Sequence, residues 1–417
     1  MKLLVLTTRL FDQPRSGGEI CTARLLDGLR EAGHQVTLLG RGDAKAAAGW
    51  AHAVHALGPV EPPFDEQSSL RRLSAVGWAL WSREPITVSR QGGRRMARAL
   101  APHLEHCEAV VVDHLQAWSW LDGDARRPRM LVTHNVESDN YMRQSRAANR
   151  GWRGNASTRP ATRFLTRREA YSLRKLELTV LREAAVVACL SRADAERLQA
   201  LALAAGIEVS ARVEVLSGFP RPMRALHPLP APDRLPRIGL IGTWTWAPNR
   251  QGLRWLLDTV WPLLEGRAQL VLAGNGLDDM PLPAGTHRLG RVAEASHFYE
   301  SVDVVAIPAI TGSGVQEKAI EAIATGMPVV ATPHALRGLG EALPAQVLQA
   351  ADADAFARAC LAFGGQTRPT DPQATMGWIE ARRTLHAQSL ARCLQALGAA
   401  DAVSAAQGAS AWRCAAP

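Results

Sequence analysis

Between Gly312 and Thr332 the chain reads Gly-Ser-Gly-Val-Gln-Glu-Lys-Ala-Ile-Glu-Ala-Ile-Ala-Thr-Gly-Met-Pro-Val-Val-Ala-Thr. This pattern predicts a glycine loop, a helix over Val315–Ala324, a glycine-proline stop and a strand over Pro328–Ala331. Gly312 and Gly314 permit a close backbone approach, and the amides at a helix start favour a phosphate. Lys318 lies within about one turn of that start and can contact a diphosphate. Glu321, three residues further along the same side, can accept hydrogen bonds from ribose hydroxyls. The same spacing also suits a surface helix with an i, i+3 ion pair. Two histidines, His114 after Val110-Val-Val-Asp113 and His134 at the head of His134-Asn-Val-Glu137, close apolar runs. On residue type alone, a histidine at a strand end is usually structural.

These residues need a scaffold, and the apolar runs supply one. Leu3–Thr7 reads as a buried strand, Glu19–Ala32 as a helix with Gly33 at its C-terminal cap, and Gln35–Leu39 as the next strand. Short strand–helix–strand connections imply right-handed crossovers and a parallel sheet. The runs Ala109–Val112, Met130–Val132 and Ala185–Leu190 extend it, and Ser191 caps a helix over Asp194–Ala200. Residues 217–236 then hold six prolines, which lack the amide donor of helix and sheet interiors and make a stiff connector. Beyond it the alternation restarts: strand Arg237–Ile241, helix Gln251–Leu264, strand Gln269–Ala273, strand Val302–Ile307 and the Lys318 helix. The expected organisation is therefore a domain over 1–216, a linker over 217–236, and a second domain over 237–385. Residues 386–417 form a terminal helix and an alanine- and serine-rich tail, frayed from about Ala399.

The string from Gly312 to Thr332 resembles the nucleotide-sugar site of the group 1 (family 4) glycosyltransferases, which have the GT-B fold. Three further stretches agree in order and spacing: Pro14-Arg-Ser-Gly-Gly18, the loop from Gly242 to Gly252, and Val271-Leu-Ala-Gly-Asn-Gly276 followed by Leu289-Gly-Arg-Val292. The resemblance covers roughly residues 1–345 and implies two Rossmann-like domains facing each other across a cleft. It implies transfer of a sugar from a nucleotide donor to an acceptor, with retention at the anomeric carbon. On this basis Gly17, Gly18, Arg250, Ser313, Gly314, Lys318 and Glu321 bind the donor. His114 is the catalytic candidate placed against the donor sugar, and His134 faces the cleft. For Gly17 and Gly18 a tight strand-to-helix turn is the plainer alternative. Two departures stand out. Ser313 occupies the place of the first of two family glutamates, so the identity of the sugar does not transfer. Thr243 or Trp244 stands near a family arginine, and Arg250 near a family lysine. A sugar-nucleotide epimerase of similar shape is the enzymatic alternative, and a non-catalytic nucleotide-sugar sensor or membrane scaffold is the other.

Composition limits the partners. The 417 residues carry a net charge of +9, almost all of the base being arginine, since Lys2, Lys45, Lys175 and Lys318 are the four lysines. Arg143–Arg182 holds eleven basic residues against Glu169 and Glu177, with Tyr141, Trp152, Phe164 and Tyr171 among them. Arg71–Arg98 adds seven arginines against Glu84, near Trp78 and Trp81. Apolar residues among arginines suit an anionic membrane surface, a solvated arginine-rich helix face being the alternative. No recognition motif for nucleic acid accompanies the charge. The acceptor expected is a glycan or lipid-linked sugar in polysaccharide or glycolipid assembly. No run reaches the roughly 18–20 apolar residues of a membrane span, and the start lacks a cleavable signal. A cytoplasmic protein, peripheral on the inner membrane face, is expected. The six cysteines have no metal spacing, and neither Asp122-Gly-Asp124 nor Asp352-Ala-Asp354 looks like a metal site. No cofactor or metal is expected.

Overall fold

The computed structural model describes residues 1–62, 67–121, 126–147, 160–220, 234–312, 314–340, 342–364 and 371–411. Most of the proline-rich stretch, Ser313, Trp152 and the Asp122-Gly-Asp124 turn lie outside the described residues. The chain divides into two compact units, Met1–Leu216 with Ala387–Pro417, and Ser217–His386.

The first unit is built on β1 (Lys2–Thr7), β2 (Gln35–Gly40), β3 (Ala53–Ala56), β4 (Ala109–Asp113), β5 (Arg129–Thr133), β6 (Val186–Cys189) and β7 (Arg212–Val215). All pairings are parallel, in the order β3-β2-β1-β4-β5-β6-β7. The helices α1 (Gly17–Glu31), α2 (Ser69–Ser82), α3 (Ile86–Arg90), α4 (Ala97–Leu104), α5 (Glu137–Ala147), α6 (Pro160–Glu183) and α7 (Arg192–Ala204) connect them. Alternate residues of the central strands fill opposite faces. Leu4, Leu6, Val110, Val112 and Leu131 pack with Leu173, Val180 and Leu181 of α6 on one side. Leu3, Val5, Val111 and Val132 pack with Leu25, Leu26 and Leu29 of α1 on the other, joined by Leu390, Cys393, Leu394 and Leu397. The chain's last helix therefore belongs in part to the first unit's core.

The second unit has β8 (Arg237–Ile241), β9 (Gln269–Ala273), β10 (His287–Gly290), β11 (Val304–Ile307), β12 (Val329–Ala331) and β13 (Val347–Gln349). They form a parallel sheet in the order β10-β9-β8-β11-β12-β13. Its helices are α8 (Ala247–Trp255), α9 (Ala295–Glu300), α10 (Glu317–Ala324), α11 (Ala353–Gly364) and the start of α12 (Pro372–Ala411). The helix expected over Gln251–Leu264 is displaced. It begins at Ala247, because Pro248 is tolerated in a first turn, and its α geometry ends at Trp255. A π turn over Leu256–Val260 and a 3-10 turn over Trp261–Leu263 follow, since Pro262 cannot donate to the ladder. Helix α12 runs to Ala411, as alanine, the best helix former, allows. Asp352 caps α11, accepting from the Ala355 amide at 2.7 Å.

Glycine is required where α8 passes the backbone just after β11. A Cβ on Gly252 would sit 2.5 Å from the Pro308 carbonyl oxygen. Elsewhere in a helix, Gly→Ala stabilises by about 1 kcal/mol. Here overpacking against backbone, roughly 1–3 kcal/mol, reverses the sign. Gly252→Ala is accordingly expected to lower the melting temperature measured by circular dichroism.

Candidate functional site

In each sheet the strand order reverses once, between β1 and β4 and between β8 and β11. Crevices outside the carboxyl ends of strands at such points are where open α/β sheets bind ligands. The chemistry-bearing residues of both units gather there.

In the first unit β4 closes on Asp113, wholly buried and in register with Thr7 of β1. Thr7 and Thr22 hydroxyls donate to its Oδ2 at 3.1 and 2.6 Å. Thr22 reaches it from α1, and His134 Nε2 lies 2.7 Å from Oδ1 just past β5. An ionised carboxylate only accepts, so His134 carries its proton on Nε2. Burial opposes ionisation of Asp113. The histidine charges and the hydrogen bonds outweigh it and hold the carboxyl below the usual range. His114 stacks on His134 with ring centroids 3.9 Å apart and planes 20° apart, its Nε2 3.6 Å from Asp113 Oδ2. Its side chain is 23% exposed against 8% for His134, so His114 is the member of the group that meets solvent. Burial, then the charge of His134, push its imidazole down to about 4 despite the opposing Asp113. At neutral pH it is a hydrogen-bonding group rather than a cation. Glu137, at the head of α5, is raised by burial against the charge of His134.

His114 also holds a φ of +77°, in the left-handed region that non-glycine residues avoid. It is over-determined: its amide donates to Val132 and its carbonyl accepts from Ala117. Such conformations cost on the order of 1–3 kcal/mol and gather at functional sites.

Asp113, His114 and His134 place one potential ligand atom each within 4.8 Å of one another. The geometry does not suit a shared ion. Imidazole lone pairs lie in the ring planes, and the stacked planes are nearly parallel, so both nitrogens cannot converge on one metal without a ring turning. Two threonine hydroxyls already engage Oδ2 as well.

Gly17 and Gly18 open α1. Ser16 and Glu19 form a capping box that uses their own amides. A Cβ on Gly18 would lie 3.4 Å from His114 Cε1, so this glycine faces the imidazole.

In the second unit, a pocket at the β8–β11 reversal is lined by Ile241, Trp244, Pro248, Asn249, Thr311, Gln316 and Lys318. Gln316 is the N-cap of α10 and gives it no side-chain cap. Lys318 Nζ donates to Asn249 Oδ1 at 2.8 Å, and Asn249 in turn donates to the Thr243 carbonyl at 3.0 Å. Gly242 leaves room for this: a Cβ there would lie 3.3 Å from Nζ. Lys318 makes no ion pair among the described residues, so the i, i+3 pair with Glu321 is not formed. Burial pushes its pKa down to about 8.

Two other donor candidates, Glu321 and Arg250, lie outside the lining of this pocket. Glu321 is half-buried and does not line it; its charge, after burial, helps raise the phenol of buried Tyr299. Arg250 is buried and paired with Asp279 at 2.7 Å, also outside the lining. Trp244 is a core residue whose indole donates to the Ala273 carbonyl at 3.0 Å. Gly314 adopts a φ of +76°. Ser313 lies outside the described residues. Sequence reasoning missed Asp113 and Asn249. A charged residue ending the apolar run Val110–Val112 was a usable signal for the first; nothing local marks the second.

Residues 235–363 match the family described as Glycosyl transferases group 1. The second unit is a group 1 glycosyl transferase domain. No sequence relative is found among the curated proteins. Solved structures resemble the chain over nearly its whole length at low identity. Sucrose-phosphate synthase (tll1590) from Thermosynechococcus elongatus matches with a TM-score of 0.60 at 15% identity, over 96% of this chain and 100% of that one. Anabaena Alr3699/HepE in complex with UDP and glucose matches at 0.58 and 15%, over 95% and 99%. TarM matches at 0.62 and 9%, over 95% and 99%. The fold is thus GT-B, two Rossmann-like units on parallel sheets of seven and six strands. A glycosyltransferase domain within a GT-B frame is what the motifs imply, and both are present.

The strain at His114 separates its fold role from its site role. His114→Gly relieves about 1 kcal/mol of left-handed strain, which offsets lost ring packing. It is expected to melt higher than His114→Ala, which keeps a Cβ at this φ. Thermal denaturation of the two variants checks the order.

Proposed function

We propose that this glycosyltransferase moves a sugar from a nucleoside-diphosphate donor to a glycan or lipid-linked acceptor, with retention of anomeric configuration. The observation that carries the proposal is Lys318. An ammonium desolvated at a switch-point crevice, beside a helix start without a side-chain cap and held by one neutral amide, is arranged for an anion. A diphosphate supplies the missing counter-charge. Binding of UDP and UDP-glucose by the structurally similar Alr3699/HepE supports a nucleotide sugar as the ligand. Glu321 is assigned to the ribose and Gly314 to the loop that approaches the phosphates, Ser313 beside it being assigned to the donor by family resemblance alone. Arg250 reaches the donor only by exchanging Asp279 for it. The neutral imidazole of His114 is assigned to the sugar, which it orients by hydrogen bonding while Asp113 and His134 fix its ring. The amides of Gly17 and Gly18 are assigned to donor or acceptor at the start of α1.

As the donor bond breaks, charge develops on the departing diphosphate. Lys318 and the α10 amides are assigned to stabilise it electrostatically, which can replace a metal ion. Turnover is accordingly expected to survive EDTA.

Incubation with a panel of nucleotide sugars and a lipid extract tests the proposal. Nucleotide release that depends on acceptor, with retained anomeric configuration by NMR, is expected. Conversion of the donor without acceptor would indicate an epimerase, and binding without turnover a sensor; either result overturns transfer. Lys318→Ala is expected to weaken nucleotide-sugar binding by about 10–100-fold in calorimetry, the range for a lost charge-assisted contact. His114→Ala is expected to reduce turnover by about 100-fold.

Titration of Lys318 gives a separate check. The diphosphate binds the protonated amine, so the complex holds that proton to higher pH than the free protein does. Affinity should therefore hold below about pH 8 and fall by up to about tenfold per pH unit above it. Lys318→Arg, which stays charged, should flatten this fall; a profile unchanged in that variant would remove Lys318 from the diphosphate site.

A further inference from the structure

We propose that the outer face of α2, with the adjoining start of α6, docks the first unit on an anionic lipid surface. The proposal is independent of the donor site. Helix α2 buries one residue, Ala79, and turns its apolar positions outward. Leu70 is 80% exposed, Leu73 68%, Leu80 50% and Trp81 76%. Positions 70, 73, 77, 80 and 81 repeat at helical spacing, so these side chains share one face. Helix α6 adds Phe164 and Tyr171, both exposed and seven residues apart, thus also on one side. The two helices are tied together, since the Arg168 guanidinium of α6 donates to the carbonyls of Ala79 and, just after α2, Glu84.

The charges around this apolar face are sorted by sign. No acidic residue occurs in α2. The acids nearby point inward and are used there. Glu84 accepts from the Arg94 amide, Glu169 accepts from the amides of Ile86 and Thr87 at the start of α3, and Glu177 accepts from Ser138. Arg71, Arg83, Arg163, Arg167 and Lys175 remain on the surface and make no ion pair among the described residues. A solvated helix face would not expose leucines and tryptophan at one phase, and an exposed apolar stripe of this kind marks an interaction site. An apolar stripe flanked by unpaired arginines complements lipid that presents hydrocarbon beneath anionic headgroups. Among the described residues no helix is long and apolar enough to cross a membrane, so the contact assigned is one of lying on the surface.

Co-sedimentation of the full chain with vesicles tests this. Binding is expected with phosphatidylcholine vesicles containing roughly one-third phosphatidylglycerol, and not with phosphatidylcholine alone. Arg163→Ser combined with Arg167→Ser should weaken binding by about thirtyfold, and raised salt should weaken the wild type. Leu73→Glu combined with Trp81→Glu should remove it, with the melting temperature unchanged because both side chains are exposed. Wild-type sedimentation by the Leu73→Glu, Trp81→Glu variant would overturn the proposal. So would equal binding to both vesicle types, or no vesicle binding by the wild type. Loss of a wild-type dimer in that variant, without vesicle binding, would assign the face to a second copy of the chain.

Discussion

A parallel strand covered on both faces can carry a charge only at its end, and both units of this chain are organised by that restriction. In β4, Val110, Val111 and Val112 pack alternately into the two cores, and Asp113 follows at the carboxyl end without leaving the interior. A buried carboxylate is tolerable only when hydrogen-bonded. Its partners come from β1 (Thr7), α1 (Thr22) and the residue after β5 (His134), so one charge draws three elements onto the switch point. The strained backbone of His114 is held within that closed group.

The second unit presents the opposite electrostatic situation at the equivalent place. Its charge is a cation, and its partner is a neutral amide. Asp113 has its hydrogen-bonding capacity engaged by protein, whereas Lys318 keeps an uncompensated charge in a desolvated pocket. Arg250 shows what compensation would look like, since Asp279 holds its guanidinium and takes it out of the pocket. The first unit thus holds a satisfied anion beside a partly exposed neutral imidazole, and the second an unsatisfied cation beside a helix start.

The same sorting of charge extends to the surface. Glu169 and Glu177 of α6 accept hydrogen bonds inside the first unit, and Arg163, Arg167 and Lys175 are left outside. Net charge alone, +9, could not have distinguished this from an evenly mixed surface. Direction decides it, because Glu169 and Glu177 fall on the inner phase of α6 while Arg163, Arg167 and Lys175 fall on the outer one.

What the sequence by itself determined was contiguous. The α10 segment was legible because loop, helix and stop follow one another, and helical periodicity is a local property. The central strands were legible as apolar runs. Strands β10 and β13 escaped because they lie at sheet edges and lack such runs; every residue of β10 is exposed. Tertiary structure alone decided the partners. Asn249 meets Lys318 from 69 positions away, and Thr22 meets Asp113 from 91. Arg250 is withdrawn by Asp279, 29 residues on, although its own neighbourhood reads as a phosphate loop. A residue's type and local phase state what chemistry it can do. Whether its charge is engaged or still open depends on which distant side chain the folded sheet brings to it, and no local pattern encodes that.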